Sequence, residues 1–372
     1  MAATGRQTAA ADLAVDLRKA GLVRLAPAAT GDGVAAAGVL ARSLNAIDVP
    51  YQIGVETGDA TRGTEADVTL ALDRDQPGVD ETLGGDQPAS AAAFEVARSL
   101  DEQSASATVA AAGVLAAGGE PTGPLAEAIT DAGIERRPGV AVPTDDLVDG
   151  ITHSTRLHAP FSGDPEAVRN ALGDVAIEPT DDEERRRLAS LVALQTVDAG
   201  STSARATESI ANALRPYAGG PLTTLEGYAD VLDAAVREDP GAAVALALGH
   251  DAREDALDAW RSHARSAHEA LQAASIQRHS GLVVAEIEGP IETVARLLRD
   301  YRSPEPLALV AGDGHVALAA TEDQEGANIL ETATESFDLS GRVAGDADLA
   351  IQSYPGEIER LVAAIREVSR DA

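Results

Sequence analysis

One stretch near the start of the chain restricts the choice of fold more than any other. Leu22-Val23-Arg24-Leu25 reads as a short strand and empties into the loop Ala26-Pro27-Ala28-Ala29-Thr30-Gly31. Asp32-Gly33-Val34-Ala35-Ala36-Ala37-Gly38-Val39-Leu40 then opens a helix of small residues that continues to about Asn45. An aspartate at a helix start accepts bonds from free backbone N–H groups and suits the positive end of the helix dipole, so Asp32 reads as an N-cap. In an α/β sheet the same junction lies at the carboxyl edge of a strand, where ligands and metals bind. On this stretch alone, both readings of Asp32 stay open.

The neighbouring segments extend the pattern. Leu13, Val15 and Leu17 place a leading helix over residues 6–20. After the opening unit come the strand Pro50-Tyr51-Gln52-Ile53-Gly54-Val55 and the buried strand Ala66-Asp67-Val68-Thr69-Leu70-Ala71-Leu72, which ends in Asp73. Ala89–Leu100 and Ala105–Ala117 read as two alanine-rich helices. Strands and helices in this order predict a parallel sheet covered by helices. From Asp181 to Ala274 the spacing is helical nearly throughout, with breaks at Gly200, Gly219-Gly220-Pro221 and Asp239-Pro240-Gly241. Trp260 falls at core spacing with Leu257. Beyond His279 the composition changes: the strand Gly281–Ile287, a helix over Ile291–Tyr301, and a hairpin turning at Gly312-Asp313-Gly314 form a separate α+β module. A closing helix is expected from Gly356 to Arg370.

Composition narrows the setting. The 372 residues carry 61 acidic against 29 basic side chains, a net charge of −32, and only one of the basic residues, Lys19, is lysine. Acids spread along the whole chain, with almost no lysine, suit a high-salt cytoplasm where screening is nearly complete, and point to a halophilic archaeon. In molar salt, long-range steering fails for any protein, so the acidic balance excludes no nucleic-acid partner. Cysteine is absent, which removes disulfides, thiolate metal sites and cysteine nucleophiles. With no 18-residue apolar run and no basic-then-apolar leader, the expectation is a cytoplasmic protein with no membrane partner.

Chemistry-bearing residues are few. His153 and His158, five apart in a loop-rich segment without a facing carboxylate cluster, read as surface residues. Arg185-Arg186-Arg187 follows Asp181, Asp182, Glu183 and Glu184 on one helix, the dipole-favourable order of a solvated face. Gly31-Asp32-Gly33 is neither a Gly-x-Gly-x-x-Gly fingerprint nor a P-loop, and no Gly-Lys-Ser/Thr follows, so nucleotide binding is a minor reading. No serine triad emerges around Ser162 or Ser201. With three Phe, five Tyr and one Trp, an aromatic stacking platform for bases is not expected.

Taken together and in order, these pieces resemble the DHH phosphoesterase superfamily, and within it the archaeal RecJ-like branch, over nearly the whole chain. The opening strand–loop–helix looks like the family's first motif, His-x-Asp-x-Asp-Gly, and Leu70–Asp73 resembles the second. Ala110-Ala111-Ala112-Gly113-Val114-Leu115-Ala116-Ala117 looks like the fourth, and Ala159-Pro160-Phe161-Ser162-Gly163 like the Pro-Phe-x-Gly segment after it. Glu226–Ala235 resembles the RecJ-like interdomain helix, and Gly341–Asp348 sits where the DHH-associated domain carries its Gly-Gly-His motif. The resemblance implies an α/β parallel-sheet DHH-like domain over 1–180, a helical connector over 181–277 and a smaller α+β DHH-associated domain over 278–372.

Active members hold two manganese or magnesium ions that bind phosphate oxygens and activate water. Here the first-motif His falls on Ala28, its first Asp on Thr30 and its second on Asp32. Asp73 is kept, the Asp-His-His triplet is missing, the fourth-motif Asp falls on Ala117, and the substrate-gripping His falls on Val343. Asp32 and Asp73 are therefore the residual metal positions, and two carboxylates cannot satisfy two hard ions that each want about six ligands. The first reading is a catalytically inactive RecJ-like protein used for binding or assembly. The RecJ-like subunit of the eukaryotic replicative helicase, which lacks nuclease activity and bridges to GINS, is the precedent the family offers. The implied partners are single-stranded DNA or RNA, lying in a cleft between the lobes, and a GINS or helicase component. Arg342, Arg302 and Arg278 are the candidate backbone contacts. The alternative is a working manganese- or magnesium-dependent single-strand exonuclease that recruits Asp75 or Asp86, with His153 or His158.

Overall fold

The computed structural model describes residues 2–55, 65–74, 78–173, 181–197, 210–211, 213–321, 323–337, 343–345, 348–354 and 358–371. They fall into two units. The first comprises Met1–Arg137, Ala141–Asp145 and Arg215–Ser262, and the second Pro138–Val140, Asp146–Leu214 and His263–Ala372.

In the first unit, α1 (Ala2–Lys19) leads into β1 (Val23–Pro27), α2 (Gly31–Ala46), β2 (Tyr51–Ile53), β3 (Val68–Leu72) and β4 (Glu81–Leu83). These strands form one sheet in the order β2-β1-β3-β4, every pair parallel, with Val23 opposite both Tyr51 and Val68. Strand β1, at the middle of the sheet, is buried along its whole length, as a parallel strand covered on both faces must be. Helices α3 (Ala89–Leu100), α4 (Ala107–Ala116) and α5 (Gly123–Asp131) follow. The short strand β5 (Glu135–Arg136) pairs antiparallel with β6 (Tyr217–Ala218), and α9 (Leu225–Glu238), α10 (Pro240–Leu248) and the start of α11 (Arg253–Ala273) complete the unit. The second unit holds α6 (Leu147–His153), α7 (Pro165–Leu172) and α8 (Asp182–Val197), and it takes over the C-terminal end of α11.

The small residues of α2 have a packing reason. Thirteen of its 16 residues are buried, so the helix is enclosed on all sides, in contact with α3, α4, α9 and α10. A side-chain carbon on Gly38 would sit 2.7 Å from the Ala247 Cβ and 2.9 Å from the Ala247 carbonyl oxygen. Helices this close leave room for alanine and glycine and little else. Tyr228, Leu232, Trp260 and Leu257 fill the remaining core, and the Trp260 ring donates its N–H to Asp230 at 3.1 Å.

The second unit is built on a six-stranded sheet, in the order β11-β12-β10-β9-β8-β7. Its strands are β7 (Ser275–His279), β8 (Leu282–Glu286), β9 (Leu307–Gly312), β10 (His315–Ala320), β11 (Val343–Gly345) and β12 (Leu349–Ser353). Only β8 and β9 run parallel, joined through α12 (Ile291–Leu297) and a π-helical turn at Leu298–Arg302. The predicted hairpin is present: β9 and β10 pair around Asp313 (φ 47°) and Gly314 (φ 73°), two left-handed positions in succession, which suits an Asp-Gly pair. Helices α13 (Gly326–Ser336) and α14 (Ile358–Asp371) lay Leu330, Leu361 and Ile365 against the apolar residues of that sheet. The architecture is α/β, a parallel-sheet domain and a C-terminal sheet-rich module, as expected. Among the described residues, no helix is long and apolar enough to cross a membrane.

Candidate functional site

The start of α2 is held by a network of carboxylates, and Asp32 is not its cap. Thr30 is: its backbone is extended and its hydroxyl oxygen accepts the Gly33 N–H at 3.0 Å. The same hydroxyl donates its own proton to the Asp73 carboxylate. Asp73 leaves the end of β3 at φ 59°, and its N–H is held by the Leu83 carbonyl at 2.8 Å.

Asp32 lies one residue inside α2, 2 % exposed, and faces a different helix. Its Oδ2 accepts the Ala89 N–H at 2.6 Å and its Oδ1 the Ser90 N–H at 3.0 Å. These are the first two amides of α3, which follows Pro88 and has no side-chain cap of its own. Asp32 therefore caps α3 from α2. A third carboxylate closes the ring: Asp233 of α9 accepts the Gly31 N–H at 3.0 Å and pairs with Arg237 at 2.8 Å. The Asp32 and Asp233 bonds to backbone amides set a negative group against the positive end of a helix. A side-chain carbon on Gly31 would lie 2.7 Å from the Ala116 Cβ, so the end of α4, beside Ala117, packs directly on the start of α2.

These residues do not fit a pair of hard divalent ions. Both oxygens of Asp32 point at backbone amides, Asp73 takes a hydroxyl proton, and Asp233 caps and pairs. Of the supporting acids proposed from sequence, Asp86 is exposed and Asp75 lies outside the described residues. Among the described residues, no three or more His, Cys, Asp or Glu side chains are grouped to hold a metal ion. The nucleotide reading meets the same obstacle. The Gly31 and Gly33 amides that would cradle a phosphate are already satisfied by Asp233 and Thr30, and a phosphate would approach buried carboxylates.

Two of the candidate arginines, Arg278 and Arg302, belong to the second unit. Arg278, on β7 and well exposed, forms an ion pair with Glu305 at 2.7 Å. Arg302, half-buried at the end of the π-helical turn, donates to the Leu271 carbonyl at 3.3 Å. Arg342 lies outside the described residues.

Beside Arg302 lies a group the sequence did not reveal. His158, expected at the surface, is 7 % exposed, and His268 of α11 is fully buried. Their Nδ1 atoms stand 3.2 Å apart, and the His268 Nε2 is 3.0 Å from the Ser154 carbonyl oxygen. The ring planes differ by 21° and the centroids lie 5.4 Å apart, close to the Nδ1 separation plus two ring radii, so the imidazoles meet edge to edge. Burial depresses both basicities, His158 to about 3, with His268 and the Arg302 cation adding to the effect, and His268 to about 4. His153, also expected at the surface, is mostly buried against Asp149 on α6.

Thr30, Asp233 and His268 were missed from sequence. A signal existed for Asp233: together with Asp230 it interrupts a helical stretch whose neighbours are otherwise mostly apolar, and a buried acid needs hydrogen-bond partners. Nothing in the spacing of the seven histidines pairs His158 with a residue 110 positions away.

Comparison with known proteins places the chain. Uncharacterized protein rrnAC1427 of Haloarcula marismortui is 47% identical over 379 residues, covering 99% of this chain and 100% of that one. Residues 274–367 match the family described as "Uncharacterized protein rrnAC1427, C-terminal domain". Among solved structures, CDC45 from Entamoeba histolytica superposes with a TM-score of 0.59 at 9% identity, over 98% of this chain and 99% of that one. Exonuclease RecJ bound to manganese gives 0.51 at 16%, over 98% and 94%. RecJ from Thermus thermophilus in complex with Mn2+ gives 0.52 at 16%, and this chain spans only 55% of that protein's length. The fold is that of the RecJ and CDC45 proteins, and the full-length relative comes from a halophilic archaeon.

Proposed function

The chain belongs to the family of Haloarcula marismortui rrnAC1427, and on that footing we propose that it is a RecJ-shaped protein without hydrolytic activity. In this reading it works by binding, with single-stranded DNA or RNA, or a GINS- or helicase-type component of the replication machinery, as its partner. One observation carries the proposal: at the junction where the fold family holds its metals, Asp32 spends both carboxylate oxygens on the first amides of α3. A carboxylate so engaged would have to release a buried helix end before it could ligate a metal, and Thr30 and Ala117 stand where further ligands are expected. The likeness in fold to CDC45 supports an assembly role, and the likeness to RecJ supports single-stranded nucleic acid as a partner.

The test is binding without cleavage. A 5′-labelled single-stranded oligonucleotide is titrated with the protein in molar KCl, once with manganese and once with EDTA. The expected outcome is anisotropy that rises equally in both arms, with the oligonucleotide recovered intact. Cleavage in the manganese arm, lost in Asp32→Ala, would establish the exonuclease reading instead. No rise in either arm would remove nucleic acid as the partner.

A further inference from the structure

The buried histidine pair of the second unit has a defined proton arrangement, and that arrangement makes it sensitive to acid. The Ser154 carbonyl can only accept, so the His268 Nε2 must donate to it. A neutral His268 then has a bare Nδ1, and the proton shared across the 3.2 Å gap belongs to the His158 Nδ1. The chain of bonds therefore runs from His158 through His268 to Ser154, and the His158 Nε2 carries a lone pair. A second proton entering this line puts a charge where water is excluded.

The surroundings offer it little compensation. From the π-helical turn, the Arg302 cation acts on His158, and the Tyr301 ring meets it edge-on with the centroids 6.3 Å apart. The Tyr301 hydroxyl is committed to the Arg156 carbonyl at 2.6 Å. From α6, His153 faces His268 and itself leans on the Asp149 carboxylate. The Arg302 cation repels a positive charge added to His158, and His153 disfavours one on His268.

The pair also joins the 154–163 loop to α11. His158 opens the turn Ala159–Ser162, whose Ala159 N–H is held by the Ser162 hydroxyl at 3.0 Å and whose Gly163 N–H reaches Thr152 at 2.9 Å. That loop rests on α11 through His268 and through Gln272, which donates to the Ser162 carbonyl at 2.9 Å.

We propose that the His158–His268 pair is an acid-operated latch, closed while both imidazoles are neutral, that holds the 154–163 loop on α11. The sign follows from the depressed basicities. The folded pair binds fewer protons than the released one, so its hold is complete above the free-imidazole value of about 6.5 and weakens as pH falls from there towards about 4. Between pH 7 and pH 5, a released imidazole gains a factor of about 25 in favour of opening, and two gain several hundredfold.

The experiment is hydrogen–deuterium exchange of peptides covering residues 154–163 in the whole protein at pH 7, 6 and 5, corrected for intrinsic rates. The expected result is a loss of protection of between about 25-fold and several hundredfold over that range, greater than that in the β8–β9 core. In the double variant His158→Gln, His268→Gln the loop should lose that pH dependence, whatever its basal protection. Protection that ignores pH in the native protein would overturn the latch, and so would a dependence that survives in the double variant. Ring 15N shifts at pH 7 give an independent reading. His158 should be the Nδ1–H tautomer and His268 the Nε2–H tautomer, and the reverse assignment would refute the bond order on which the latch depends.

Discussion

Replacing Asp32 with alanine separates a structural carboxylate from a metal ligand. The substitution orphans two buried amides, those of Ala89 and Ser90, which now lie 2.6 and 3.0 Å from a charged acceptor. A hydrogen bond to a charged group contributes roughly 1.5–3 kcal/mol, and an orphaned buried donor costs about as much. Two bonds give about 3–6 kcal/mol. Removing the carboxylate also removes the cost of burying it, which brings the expected loss to about 3 kcal/mol, a large share of the 5–15 kcal/mol that holds a typical domain. At about 2–4 °C per kcal/mol for a unit of this size, the midpoint of thermal unfolding should fall by about 6–12 °C. Asp32→Asn, which keeps one acceptor oxygen, should lie between. The assay is thermal and urea unfolding in molar KCl, each with manganese and with EDTA. Manganese should move none of the three midpoints. An Asp32→Ala protein as stable as the native one would refute the capping role, and a manganese-dependent rise in the native protein that Asp32→Ala abolishes would restore the metal ligand.

Other perturbations probe the same packing. Asp233→Ala frees the Gly31 amide and the Arg237 guanidinium and should cost about 2–3 kcal/mol by urea unfolding. Combined with Asp32→Ala it should fall short of the sum, since Asp233 holds the Gly31 amide beside the residue from which Asp32 caps α3. Gly38→Ala drives a methyl into Ala247 and should cost about 1–3 kcal/mol by the same measurement. Trp260→Phe keeps an aromatic ring in the core but drops the bond to Asp230, for an expected loss of about 1–2 kcal/mol read from the urea midpoint.

The architecture was legible where local chemistry and packing agree. The opening strand–loop–helix, the acid-terminated strand at Leu72 and the Asp313-Gly314 hairpin all fall where periodicity and turn residues put them. The helix start at Gly31 was legible in place but not in detail, because Thr30 and Asp32 are both good capping residues and only tertiary contact decides which caps which helix. The same holds for the histidines. A lone histidine in a loop segment reads as exposed, and the partner that buries His158 comes from a helix more than a hundred residues later. Those long-range pairings decide what the site can do, and a single sequence does not encode them by spacing.

The central claim is that the β1–α2 junction is closed by its own carboxylates and not by metal. Manganese titration followed by electron paramagnetic resonance, in molar KCl with the native chain and with Asp32→Ala and Asp73→Ala, tests it most directly. The account predicts the free-ion signal at every stoichiometry, identical for the three proteins. A bound species saturating at one or two ions per native chain, and missing from either variant, would contradict it.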